Sequence, residues 1–123
     1  MPKYPRSYPE VNQVIQGASI VQVRDPEETA RYYRDVLGFE YDYGDKNYSV
    51  VWRDNAAVHF SKSDQLPSGV KLFLWVKDAD KAYEQFRSNG AEIKAEIGDR
   101  EYGIRDFAVE DINGLEVVIG QDI

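Results

Sequence analysis

The run Val23-Arg24-Asp25-Pro26-Glu27-Glu28 decides how the rest of the chain is read. It closes an apolar stretch, Ser19 to Val23, that reads as a strand, and it opens a helix. Asp25 can cap the helix, Pro26 suits the first helical position, and Glu28 stands where a capping-box carboxylate reaches back. Ala30, Tyr33 and Leu37 then recur at helical spacing on one apolar face, and Gly38 fits a left-handed cap. Three strand-like runs follow, about Phe39 to Tyr43, Tyr48 to Arg53 and Ala56 to Lys62, with turn residues Gly44 to Asn47 and Asp54-Asn55 between them.

The same grammar restarts 53 residues later, where Val76-Lys77-Asp78 repeats Val23-Arg24-Asp25. Lys71 to Val76 reads as a strand, and Asp78 caps a helix whose buried face is Ala79, Ala82, Tyr83 and Phe86, ended by Gly90. Strands are predicted near Glu92 to Ile97, Ile104 to Glu110 and Leu115 to Ile119, the last two joined by a turn containing Asn113-Gly114. The fold class is therefore α+β, with two β-α-β-β-β modules over about 17–62 and 70–120 and a linker over 63–69. Pro67, Ser68 and Gly69 mark that linker. Each helix covers one face of its sheet, so the binding site is expected in a cleft between the bare faces of two curved sheets.

At 123 residues the chain is sized for one domain, assigned to 17–123, and its 42% hydrophobic content supports a packed core. Three prolines in the first nine residues predict an extended arm over 1–16. No apolar run there is long enough for a signal peptide or a membrane span, so a cytoplasmic protein without membrane contact is expected. Fifteen basic residues against 22 acidic ones give a net charge of −7, which argues against a nucleic-acid partner. The absence of cysteine and the single histidine, His59, exclude thiolate zinc sites, cysteine nucleophiles and any site needing two imidazoles. Nine tyrosines, five phenylalanines and two tryptophans favour ligand binding over covalent chemistry.

From about Ile20 to Gly120 the chain resembles the vicinal oxygen chelate superfamily, which groups glyoxalase I, extradiol dioxygenases, fosfomycin resistance enzymes and bleomycin resistance proteins. Val23-Arg24-Asp25-Pro26, Tyr32-Tyr33 and Leu37-Gly38-Phe39 look like its first motif. Asp111-Ile112-Asn113-Gly114 is similar to its C-terminal turn, with Ile112 replacing a proline. The resemblance is closer to bleomycin resistance proteins in Trp75-Val76-Lys77, Asp80 and Tyr83, and in Glu96-Ile97-Gly98, Tyr102-Gly103 and Asp106-Phe107-Ala108-Val109. There Tyr102 stands for the family's ligand-stacking tryptophan.

Metal-dependent members of the superfamily hold their ion with one side chain from each module's first strand and one from each module's last. By motif those positions are Ala18, His59, Lys71 and Val118 here. Only His59 can ligate in the usual way, so no metal or other cofactor is expected. Were a divalent metal bound, His59 and Glu116 would be its ligands.

Alternation places Val58 and Phe60 on the helix-covered face and His59 on the other. As a general base His59 would need an orienting partner, and the sequence shows none. Phe73 and Trp75 share a face with Lys71, and Tyr48 and Trp52 alternate likewise. Tyr48, Trp52, His59, Phe73, Trp75 and Tyr102 are thus the expected ligand-binding residues, with no catalytic residue. The charge is uneven, −1 over residues 1–62 and −6 over 63–123, which favours a basic guest; Lys71 is the discordant cation, with Glu116 or a ligand carboxylate as its partner. The expected function is that of a bleomycin-resistance-like protein sequestering a cationic, aromatic antibiotic or related small molecule, without catalysis, in the cleft of a homodimer. The alternative is a metal-dependent glyoxalase-type lyase or dioxygenase with displaced ligands.

Overall fold

A computed structural model describes residues 13, 14 and 16–123. The arm expected over 1–16 otherwise lies outside the described residues. The chain divides at Leu66–Pro67, inside the predicted linker, into two compact units. Each contains four strands and one helix, in the predicted order.

In the first unit, β1 (Ala18–Val23), β2 (Glu40–Gly44), β3 (Tyr48–Arg53) and β4 (Ala56–Lys62) form a mixed sheet ordered β1-β4-β3-β2. β1 runs parallel to β4, Ile20 lying opposite His59, and the other pairings are antiparallel. Helix α1 (Pro26–Asp35) starts as the sequence predicts: the Asp25 carboxylate accepts from the Glu28 amide at 3.1 Å, and Pro26 occupies the first turn. Gly38 takes φ 75°, the left-handed conformation that turns the chain out of the helix. Ala30, Tyr33 and Leu37 are wholly buried, and Tyr33 meets Phe60 at 4.9 Å and Phe39 at 5.6 Å. Phe39 was expected to open β2, but it serves this cluster from the loop before the strand.

The second unit repeats the scheme, with β5 (Lys71–Trp75), β6 (Glu92–Asp99), β7 (Ile104–Glu110) and β8 (Glu116–Asp122) ordered β5-β8-β7-β6. β5 is parallel to β8, Lys71 opposite Glu116 and Phe73 opposite Val118. Helix α2 (Ala79–Ser88) is capped by the Asp78 carboxylate, which accepts from the Lys81 amide at 3.0 Å. It packs on β6, β7 and β8. Ala79 and Phe86 are buried there, whereas Ala82 and Tyr83 are only half-buried. Phe107 is the centre of this core, with Tyr83 at 5.2 Å and Phe86 at 6.0 Å.

Three strands outrun their predicted ends, β2 by the single residue Gly44 and β6 and β8 by more. β8 continues past Ile119 because Ile104 and Arg105 at the start of β7 pair with Asp122 and Gln121. β6 continues to Asp99, which pairs with Arg105. In the β7–β8 connection the Asp111 carboxylate accepts from the amides of Asn113 and Leu115, and Gly114 takes φ 81°.

Candidate functional site

The face of the second sheet opposite α2 is set by strand parity. Phe107, Val109, Val117 and Ile119 are buried, with Phe107 against the helix, so Asp106, Ala108, Glu116 and Val118 turn the other way. Together with Lys71 and Phe73 of β5, Ala95 and Glu96 of β6, and Arg100 and Tyr102 of the β6–β7 turn, they line a hollow of about 690 Å³. Its volume is in the range of small-molecule sites.

Aromatic surface lies open here. Phe73, Trp75 and Tyr102 are 45%, 61% and 67% exposed, and the Phe73 and Trp75 rings touch with centroids 4.8 Å apart. The tip of the Phe73 ring rests against Gly120, where a Cβ would come within 2.7 Å of Phe73 Cζ. Tyr102 is held by its hydroxyl, which donates to Asp106 Oδ2 at 2.9 Å, while Arg100 Nε donates to Oδ1 at 2.7 Å. Arg100 also donates to the carbonyls of Asp106 and Glu96. One buried carboxylate thus pins both an arginine and a tyrosine from the same turn. The bond to Asp106 raises the pKa of the Tyr102 phenol above its ordinary value, since ionisation would break it and set two anions together.

The charges of the hollow are largely paired among themselves. Lys71 and Lys94 each approach one oxygen of Glu116 at 3.4 Å, and Tyr83 donates to Glu96 at 2.5 Å. Lys71 thus finds the first of its two expected partners. Asp106 and Glu116 face Lys71 and Arg100 among the lining residues, so the charges of the hollow balance, while the Glu96 carboxylate is taken by Tyr83 of α2.

In the first unit, Tyr48 and His59 come together. Tyr48 lies opposite Ser61 and His59 opposite Val50, so the two are diagonal neighbours on the face away from α1. The Tyr48 hydroxyl is 2.6 Å from His59 Nδ1, and the rings meet edge to face. Burial raises the pKa of the Tyr48 phenol. Trp52 shares this face but is only 5% exposed, so its ring offers little free surface. Of the six expected site residues, Phe73 and Tyr102 line the hollow with Trp75 beside it, and Tyr48 and His59 bond to each other.

Sequence reasoning missed Arg100 and Asp106, whose roles depend on how a turn folds back over its own strand. It also missed the partner of His59, although a register for β3 and β4 would have revealed it.

A family model described as the Glyoxalase/Bleomycin resistance protein/Dioxygenase superfamily matches residues 12–119. The chain belongs to this superfamily. No curated protein sequence matches it. Among solved structures, the bleomycin-binding protein from bleomycin-producing Streptomyces verticillus, complexed with copper(II)-bleomycin, aligns with a TM-score of 0.74 at 23% identity, over 89% of this chain and 97% of that one. The bleomycin resistance determinant encoded on transposon Tn5 gives 0.76 at 23% identity, over 87% and 97%. A glyoxalase/bleomycin resistance protein/dioxygenase from Alicyclobacillus acidocaldarius gives 0.78 at 14% identity, over 92% and 95%. At these identities the likeness establishes the fold.

The superfamily implies a metal in some members, and the residues here do not fit one. Ala18 and Val118 carry no donor, Lys71 is ion-paired to Glu116, and His59 has one ring nitrogen engaged by Tyr48. Glu116, the fallback ligand, is held between two ammonium groups. Among the described residues, no three His, Cys, Asp or Glu side chains gather to hold an ion. No helix among them is long and apolar enough to cross a membrane.

Proposed function

We propose that this protein binds and sequesters a small, planar, cationic molecule of the bleomycin type, as a homodimer and without metal catalysis. The observation that carries the reading is the open aromatic surface of the second unit. Phe73, Trp75 and Tyr102 expose ring faces at a hollow whose ion pairs fix its walls, and no activated nucleophile or general base lies among its lining residues. Ring faces reward a flat or cationic guest, by roughly 0.5–2 kcal/mol for each desolvated cation–π contact. The acidic excess of residues 63–123 as a whole favours a positive guest over an anionic one. Tyr48 and His59 are proposed as guest contacts on the first unit's own face, while Trp52, expected with them, is enclosed. The exposed apolar side chain of Ile20 is surface that a second copy would cover on dimerising.

The test is a titration of metal-free and copper-loaded bleomycin followed by tryptophan fluorescence. The chain has two tryptophans, and Trp52 is enclosed while Trp75 is open. A saturable change is therefore expected in the wild type and lost in Trp75→Phe. No saturable change at micromolar ligand overturns the drug assignment, and stoichiometric nickel or zinc in the purified protein overturns the metal-free one.

A further inference from the structure

His59 is the one imidazole of the chain, and its chemistry depends on which ring nitrogen carries the proton. The contact with Tyr48 decides this. A ring N–H donating to a hydroxyl oxygen settles near 2.9–3.0 Å, whereas hydroxyl donors make shorter bonds. The observed 2.6 Å between Tyr48 Oη and His59 Nδ1 belongs with a hydroxyl donor. With Nδ1 accepting, the proton of the neutral ring sits on Nε2. Nε2 has no partner among the described residues, and it is not one of the buried unpaired atoms, so it reaches solvent.

We infer that Tyr48 is a positioning residue that locks His59 in the Nε2–H tautomer, so that His59 presents a hydrogen-bond donor to a guest. The complementary group is an acceptor oxygen, such as a carbonyl or carboxamide. The same tautomer leaves Nε2 without a lone pair for a metal. The ring at a ligand position of the superfamily's metal site is thereby turned from a Lewis base into a donor, by a neighbour two residues away in strand register. The guest contact rests on the small-molecule reading above; the tautomer does not.

With a single histidine, a long-range ¹H–¹⁵N spectrum of the imidazole contains one residue's signals. In the unliganded protein the expected pattern of the neutral ring has Nε2 protonated and Nδ1 bare. Protonated Nδ1 overturns the inference. Tyr48→Phe should leave a mixture of the two tautomers, and an unchanged pattern removes Tyr48 from its role. Added bleomycin should shift the Nε2–H signal as tryptophan fluorescence saturates. Saturation without that shift overturns the guest contact at His59. If neither signal responds, the drug reading fails while the tautomer assignment stands on the unliganded spectrum.

Discussion

Gly120→Ala separates the ring geometry of the second unit from its stability. Gly120 sits in β8 opposite Trp75 and Asp106, and its φ is not in the positive range, so alanine is allowed by the backbone. The new methyl would stand 2.7 Å from Phe73 Cζ, 3.3 Å from Phe73 Cε1 and 3.1 Å from Ile104 Cγ2. Carbon atoms in contact prefer about 3.5–4.0 Å, so the Phe73 ring must retreat by roughly 1 Å. It can do so, because Phe73 is 45% exposed and not wedged in the core. Overpacking a closed core costs about 1–3 kcal/mol; here the cost should be at or below about 1 kcal/mol. Binding is another matter, since Phe73 moves from the position in which it meets Trp75 and faces the hollow. An aromatic contact beyond area burial contributes about 0.5–1.5 kcal/mol, which corresponds to a loss of about 2- to 12-fold in affinity for a stacked guest. Urea denaturation and the bleomycin titration, run on the same protein, measure the two effects. A destabilisation of about 3 kcal/mol would show that Phe73 is locked in place. Near-native stability with unchanged affinity would show that its position does not matter to the guest.

The remaining predictions concern the latch and the core. The Tyr102 phenol, obtained as the difference between wild type and Tyr102→Phe in a phenolate-absorbance titration, should ionise above the ordinary tyrosine range, and Asp106→Asn should bring it back down; ordinary titration in the wild type refutes the latch. Because the folded pKa is the raised one, the latch's contribution is complete below about pH 10 and is lost as pH rises through the elevated value. Phe107→Ala should cost about 3–5 kcal/mol in denaturant unfolding, since the ring is wholly buried between Tyr83 and Phe86; a loss under about 1 kcal/mol would mean that α2 is not held through it.

How far the sequence carried depends on whether a feature is local. The helix start at Asp25-Pro26 is written in adjacent residues whose capping chemistry works within one turn, and β3, β4 and β7 fall on their predicted residues because each is an apolar run bounded by turn residues. The far end of β8 was not legible, because it depends on pairing with Ile104 and Arg105, more than a dozen residues upstream. Trp52 shows the same limit on the site. Alternation put it correctly on the face of β3 away from α1, yet alternation says nothing about what else covers that face. Arg100 and Asp106 were invisible for a related reason: a charged residue in a turn reads as solvated surface until the turn is seen to fold back.

That latch also bears on how the hollow can select a guest. In the row nearest the β7–β8 turn, Glu92 lies opposite Glu110, Glu110 opposite Glu116, and Glu116 opposite Lys71. Like charges directly opposite on adjacent strands are destabilising, and Lys71 and Lys94 offset this by pairing with Glu116. At the other end, Asp106 is occupied by Arg100 and Tyr102. The strongest charges in the hollow are thus committed to each other before any ligand arrives, and a guest ion would have to break those pairs to form its own. The rings carry no such commitment. Affinity drawn from Phe73, Trp75 and Tyr102 needs only that they keep their positions, which makes Gly120 and Asp106, neither of them aromatic, as important to the aromatic surface as the rings themselves.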